Sequence, residues 1–250
     1  MADAPPDTGS TDTIVSIPRS RLASLLHNPG ELDEGEALKK SRFKIRLANT
    51  EGRRSNASYL IERRYAWRGY QVAPLASAPA NLITLAAFDN DLPIATLTVG
   101  TDSESGLAVE QLYPDEVAKL RAPGVRLCEF TKLAVDNMVR SKSVLAAIFH
   151  IAYIHARDLR GATDLLIEVN PRHVRFYQSM LGFDTIGAER IDPRVDAPAL
   201  LLRLDLAYAE AEIARWGGHR ERAGDTRLLY PLFFSPAEAQ GIEGRLRTLE

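Results

Sequence analysis

Strand-like and helix-like segments alternate along most of the chain, and this alternation limits the fold more than any other feature of the sequence. Apolar spacing predicts the order β-α-β-β-α-β-α-β-α-β-β, followed by a tail over residues 207–250. The first strand begins at Phe43, where apolar and basic residues alternate, and the turn at Asp89-Asn90-Asp91 joins two apolar runs into a hairpin. Strands that alternate with helices predict an α/β fold with a mixed sheet.

Charge divides the N-terminal part of the chain into two segments. Residues 1–36 hold seven acids against two bases, whereas residues 37–70 hold ten bases against two acids. The first segment is also rich in Pro, Asp, Thr and Ser at its start, a composition typical of disorder. We therefore expect an acidic, flexible segment over 1–35, a folded domain over 36–206, and a C-terminal extension over 207–250 that packs on the domain.

Composition excludes several classes of protein. The net charge of −2 over 250 residues argues against non-specific nucleic-acid binding. Cys128, the one cysteine, lies in an apolar run and is expected to be a buried small residue. The chain has no signal-peptide pattern at its start and no apolar run near the ~20 residues of a membrane span, so we expect a cytoplasmic protein. No cluster has metal-ligand spacing, so no metal site is expected.

Two segments carry residues that point to chemistry. The first, from Leu127 to Val144, runs from strand to loop to helix, and the free N–H groups at such a helix start suit a phosphate. In the second, Asn170 precedes Tyr177 by seven residues, and Tyr177 precedes Gly182-Phe183 by five. This spacing resembles the closing motif of the GNAT superfamily of N-acyltransferases, and the element order is similar to their fold.

The resemblance implies a mostly antiparallel, mixed sheet whose two central strands splay apart, flanked by helices. It implies no tightly bound cofactor and a donor that is an acyl-phosphopantetheine thioester, carried by acyl carrier protein or coenzyme A. Tyr177 would donate a proton to the leaving thiolate. The usual glycine-rich phosphate loop is absent from 137–143. The donor-binding residues implied are Leu133, Ala134, Val135, Val139, Arg140, Ser141, Lys142, Ser143, Val144 and Asn170.

A closer resemblance involves the run from Glu129 to Asp136, which is similar to the E-x-S-R-F-A-V-D run of acyl-homoserine lactone synthases. Arg63-x3-Trp67 resembles their R-x3-F pair. The longer pattern, over about 36–245, resembles the long-chain N-acyl amino acid synthases of the Fee type. That family implies transfer of a fatty acyl chain from acyl carrier protein to the amine of an amino acid.

The residues themselves fit such a reaction. An amine attacks a thioester only as the free base, so a proton acceptor is needed, and Glu129 is the predicted base or amine-positioning residue. The alternative for Glu129 is a strand-end carboxylate paired with an arginine. The remaining predicted substrate-binding residues are Arg63, Trp67, Thr131 and His173.

The basic segment 37–70, with the loop 137–144, is the predicted dock for acidic acyl carrier protein, because opposite fields speed encounter. The alternative is a solvated face. For the extension, covering an acyl tunnel, a dimer contact and simple packing all remain open. Three other functions also remain open: a coenzyme A-dependent N-acetyltransferase, an acyl-homoserine lactone synthase, and a non-catalytic acyl-binding module.

Overall fold

A computed structural model describes residues 12–18, 42–66, 81–136 and 142–249. Within these ranges the strands are β1 Thr13–Pro18, β2 Arg42–Leu47, β3 Leu82–Asp89, β4 Leu92–Thr101, β5 Leu127–Val135, β6 Asp164–Val169, β7 Asp184–Thr185, β8 Arg190–Asp192 and β9 Ala197–Asp205. The helices are α1 Glu51–Ala66, α2 Pro114–Leu120, α3 Lys142–Tyr153, α4 Pro171–Leu181, α5 Leu206–Trp216 and α6 Pro236–Leu249.

One twisted sheet contains all of these strands. Its order is β1-β2-β3-β4-β5-β6-β9-β7, with β8 beside β9. Every neighbouring pair is antiparallel except β5 and β6, which are parallel. The predicted mixed, mostly antiparallel sheet with flanking helices is therefore confirmed.

β5 and β6 separate near the middle of the sheet. They pair only from Leu127 opposite Asp164 to Glu129 opposite Leu166. Beyond that point β5 stays paired with β4 on its other edge, through a register shift at Lys132, whose φ is +52°. We call the resulting opening the β5–β6 cleft. It is the splay that the family resemblance implied.

The two faces of the sheet bury different cores. On one face, the side chains of Cys128 and Phe130 in β5 pack with the apolar helix α3 in the main core. On the other face, Leu127 and Leu166 pack in a smaller core with Tyr113, just before α2. Because successive side chains of a strand point to opposite faces, each strand beside the cleft contributes to both cores.

α4, which follows β6, is delimited by local chemistry. The side chain of Asn170 accepts a hydrogen bond from the backbone N–H of Arg172 at 3.3 Å, and Pro171 fills the first helical position. Gly182 ends the helix at φ +81°, a left-handed conformation that favours glycine. These signals, readable in the sequence, hold Tyr177 at a fixed distance from the end of β6.

The N-terminal segment differs from its expected state. Residues 1–35 were predicted to be flexible, yet Thr13–Pro18 forms the edge strand β1, antiparallel to β2. Ile14 and Ile17, three residues apart, are both buried because the register shifts between Thr13 and Val15. The run of β-branched residues in this segment favours a strand, although the composition of the segment as a whole is typical of disorder.

The C-terminal extension shares the main core. Its Leu229 and Phe234 are buried, and the Phe234 N–H donates to Nδ1 of His150 on α3 at 2.9 Å. The Tyr230 hydroxyl donates to the carbonyl of Leu181 at 2.7 Å. Among the described helices, none has the length and apolar character to cross a membrane.

Candidate active site

Glu129 lies at the last residue pair that joins β5 to β6. Its side chain is buried, and both carboxylate oxygens accept backbone hydrogen bonds, from Ala108 N–H at 2.9 Å and from Val109 N–H at 3.0 Å. Burial raises the pKa of Glu129, although these two bonds act to lower it. Glu129 therefore fastens the short 3-10 helix Ala108–Gln111 beside the β5–β6 cleft.

Glu168 is a second carboxylate on the same face, two residues beyond the last β5–β6 pair. Its Oε2 is paired with Arg194, which also bonds Asp192 at 2.8 Å. Its Oε1 is buried and has no hydrogen-bond partner among the residues that the structure describes. Burial raises the pKa of Glu168 to about 7, against the lowering effect of Arg194. We call the surface formed by Glu129, Thr131 and Glu168 the carboxylate face.

Tyr177 lies on the opposite face of the sheet. Its ring meets Phe149 of α3 edge-on at 6.4 Å and Phe183 at 5.6 Å between centroids. Burial in this aromatic cluster, together with nearby Tyr65, raises the pKa of the Tyr177 hydroxyl above its ordinary value. The hydroxyl therefore stays protonated at neutral pH, as a proton donor must.

Two side chains of α1 hold that helix against the free end of β5. The Tyr65 hydroxyl donates to the carbonyl of Leu133 at 3.2 Å, and Arg63 forms an ion pair with Asp136. Arg63 was predicted either to bind the acceptor amine or to order α1. Its ion pair joins α1 to the residue that follows β5, which is the contact that the second role needs. Its predicted companion Trp67 lies outside the described residues.

The predicted donor-binding residues separate into two groups. Leu133, Ala134 and Val135 border the cleft on β5, past the last residue pair with β6, and the Leu133 carbonyl there accepts the Tyr65 hydroxyl. At the start of α3, Lys142 is exposed, whereas Ser143 and Val144 are buried. Of the four that remain, Val139, Arg140 and Ser141 lie outside the described residues, and Asn170 is at the start of α4. The β5 group is therefore the part of the predicted donor site whose backbone geometry is visible.

The remaining predicted residues have plainer surroundings. Asn170 caps α4, and its side-chain amide donates to the carbonyl of Pro198 at 3.2 Å. His173 is exposed on α4 and accepts from Arg172 at 3.1 Å. Thr131 is half-buried on the carboxylate face, opposite Thr98 of β4. Within the described ranges, no group of three or more His, Cys, Asp or Glu side chains is arranged to hold a metal ion.

Comparison with known proteins agrees with this geometry. The family model of the N-acyl amino acid synthase FeeM matches residues 56–205, which is more than half of the chain. The chain belongs to this family. The matched span contains α1 from its second turn, the β5–β6 cleft, Glu129 and Tyr177. The predicted family resemblance is confirmed, and with it the assignment as an N-acyltransferase.

This chain is similar to solved structures, among them the following three. The structure of FeeM, from uncultured soil microbes, is 26% identical, covers 69% of this chain and 94% of that chain, and has a TM-score of 0.62. An acyl-CoA N-acyltransferase from Pseudomonas aeruginosa is 13% identical over 65% and 98% of the two chains, with a TM-score of 0.47. The acyl-homoserine lactone synthase LasI is 10% identical over 66% and 91%, also with a TM-score of 0.47. A search of curated proteins found no match.

Sequence reasoning missed Glu168 within this family framework. A single glutamate in an apolar strand carries no motif, and Arg194, its partner, comes 26 residues later in a turn between β8 and β9. The usable signal was position alone, because Glu168 lies two residues before Asn170 of the recognised motif.

Proposed function

We propose that this N-acyltransferase moves a long-chain fatty acyl group from acyl carrier protein to the amine of an amino acid. One observation carries the proposal: the β5–β6 cleft has carboxylates on one face and a protonated tyrosine on the other. A thioester held in such a cleft is approached by an amine from the first face and loses its thiolate toward the second.

The donor arm is proposed to lie along β5. Leu133, Ala134 and Val135 lie past the last β5–β6 pair, so an extended pantetheine amide can lie beside them and pair with backbone groups that face the cleft. The Leu133 carbonyl already accepts the Tyr65 hydroxyl, so the arm would displace or share that bond. N–H groups of the same stretch are also suited to stabilise the tetrahedral oxyanion. The phosphate would then reach the segment that ends at Lys142, at the start of α3.

Proton transfer completes the proposed reaction. Tyr177 would protonate the departing thiolate, because its hydroxyl stays neutral in the aromatic cluster. The ammonium form of the acceptor must lose a proton before attack. Two carboxylates on the carboxylate face are available for that step: Glu129, which the sequence predicted, and Glu168.

The carrier-protein donor is favoured by charge. Residues 37–70 carry ten bases against two acids, a field that attracts an acidic partner. Part of this charge is used internally, since Arg53 bonds Asp12 at 3.0 Å and Arg63 pairs with Asp136. The proposed dock therefore relies on the other bases of the segment.

A donor competition tests the proposal. The purified protein is given the same saturated acyl chain on acyl carrier protein or on coenzyme A, with a mixture of amino acids, and N-acyl products are identified by mass spectrometry. Amide formed from the carrier-protein donor at a much higher kcat/KM supports the proposal. Equal or better use of the coenzyme A donor refutes the choice of donor.

Tyr177→Phe is the matched control for this assay. It keeps the aromatic packing and removes only the hydroxyl, so a fall in kcat of roughly 10²-fold with little change in KM is expected. If neither donor yields amide but the acyl chain binds stoichiometrically, the protein is an acyl-binding module and the proposed activity is wrong.

A further inference from the structure

The carboxylate face holds one buried glutamate, Glu129, and one half-buried glutamate, Glu168, and their oxygens are used differently. Each oxygen of Glu129 receives a backbone N–H, from Ala108 or Val109. Glu168 gives only Oε2 to a partner, Arg194, and leaves Oε1 buried without one among the described residues. A buried carboxylate oxygen without a donor is costly, so a site that maintains one is suited to a ligand that brings its own N–H.

Strand register places Glu168 beside the cleft. Glu168 lies two residues beyond Leu166, where β6 has left β5, and on β5 the equivalent step from Glu129 leads to Thr131. The side chains of Glu168 and Thr131 therefore flank the cleft on the same face. An amine that reaches a thioester in the cleft from this face passes between them.

We infer that Glu168 is the catalytic residue that receives the acceptor's ammonium group and takes a proton from it, while Glu129 positions the 3-10 helix beside the cleft. This inference rests on the proposed function. It reassigns the role of proton acceptor from Glu129 on β5, which the sequence predicted, to Glu168 on β6, across the cleft.

The charges around Glu168 suit this task. Arg194 faces it from the turn between β8 and β9, and Asp192 from the end of β8. Glu129 faces it from β5, and Tyr113 from the segment before α2. On the β9 side its partner in register is the apolar Leu201. Burial raises the pKa of Glu168 to about 7, and Arg194 keeps it from rising further. A proton acceptor with a pKa near the working pH is the efficient one.

The proposed step balances as follows. The ammonium transfers one proton to Glu168, and the resulting amine nitrogen forms a bond to the thioester carbonyl carbon. As the C–S bond breaks, Tyr177 gives its proton to the thiolate and is reprotonated from solvent, while the new amide nitrogen loses its second proton to solvent. Amide, free thiol and one proton on Glu168 result, and that proton then passes to solvent. No oxidant, reductant or further reactant is needed.

The test is the pH dependence of kcat at saturating donor and amino acid, from about pH 5.5 to about pH 9.5. The wild type should lose activity at low pH with an apparent pKa near 7. Glu168→Gln should lower kcat by about 10²-fold or more and remove this acidic limb. Glu168→Asp, which retains a carboxylate on a shorter side chain, should keep the limb at a reduced kcat.

Two further variants separate proton transfer from structure. Arg194→Gln removes the cation that lowers the pKa of Glu168, so the limb should move to higher pH. Glu129→Gln should keep a limb near pH 7. A limb that persists in Glu168→Gln, or that Arg194→Gln leaves in place, overturns the inference.

Folding and activity controls keep these outcomes distinct. If Glu168→Gln does not fold, as judged by its circular dichroism and unfolding transition, the shift in Arg194→Gln decides the question alone. If the wild type itself makes no N-acyl amino acid, the proposed function has failed rather than the choice of proton acceptor.

Discussion

Replacing Glu129 by glutamine should destabilise the turn it holds, and the structure sets the size of the effect. Glu129 accepts from both Ala108 N–H and Val109 N–H. A glutamine has one amide oxygen and one NH₂ group, so one of the two backbone N–H groups must face a donor. A buried hydrogen-bond partner lost in this way costs about 1–3 kcal/mol. For a chain of this length, 2 kcal/mol lowers Tm by about 4–8 °C.

Two measurements check this prediction. Thermal unfolding of Glu129→Gln gives the change in Tm, and hydrogen exchange over residues 102–112 reports the turn directly. Glu168→Gln is the matched control, because Oε1 of Glu168 has no described partner that an amide NH₂ would displace. The folded pKa of Glu168 lies above its ordinary value, so its carboxylate costs stability as pH rises through about 7. At pH 8 the control should therefore be at least as stable as the wild type.

The reasoning fails if Glu129→Gln melts with the wild type and residues 102–112 exchange no faster. It also fails if Glu168→Gln loosens that segment as much as Glu129→Gln does. The expected pattern means that a fall in activity on changing Glu129 cannot by itself be assigned to proton transfer. The fall in activity would instead reflect movement of the 3-10 helix beside the cleft, which should raise KM as well as lower kcat.

Three other predictions concern stability, each read from urea unfolding. His150→Leu leaves the buried N–H of Phe234 without its acceptor, so it should lower the free energy of unfolding by about 1–3 kcal/mol, whereas Glu221→Gln on the surface should not. Burial lowers the pKa of His150 to about 3 and of His155 to about 4. Both histidines therefore bind protons more readily in the unfolded chain. The free energy of unfolding should fall by about 2–3 kcal/mol for each histidine as the pH is lowered from above 6.5 to 4.5. A flat pH profile would contradict this. Lys132, at φ +52°, should accept glycine with no loss of stability, while valine should cost about 1–2 kcal/mol.

The strands and helices nearest the cleft were predictable because local signals mark their ends. The strand predicted to begin at Leu127 is β5, and the predicted hairpin is β3 and β4. α4 is framed by Asn170 and Gly182, whose roles depend on a few neighbouring residues. Such signals act within a turn or two, so one sequence suffices to read them.

Other elements were missed for different physical reasons. β8 has three residues, too few for a periodic pattern, and it forms because β9 offers an edge. α6 was not predicted, although Ser235 and Glu238 form a capping box in which each side chain bonds the other's backbone N–H. That signal is present in the sequence, directly after the aromatic run that ends at Phe234.

The site residues differ in the same way: some are marked by local signals in the sequence, and one is not. Glu129 and Tyr177 stand at fixed offsets within motifs, so a sequence could indicate them. Glu168 is distinguished only by what surrounds it: a partner from the β8–β9 turn, and an oxygen that nothing in the described chain reaches. Those conditions arise from tertiary packing between segments distant in sequence. The spacing of residues in the sequence therefore could not indicate that Oε1 of Glu168 lacks a partner in the described chain.

The bulge at Lys132 explains how one strand can serve two faces of the cleft. Before it, Glu129 points to the carboxylate face and Phe130 to the main core. Strict alternation would then turn Ala134 toward the main core, yet Ala134 packs against Leu60 of α1 on the other side. The extra residue at Lys132 resets the alternation, because a bulge places two residues opposite one. α1 can therefore close over the end of β5 while Glu129 stays on the carboxylate face, which a regular strand could not provide.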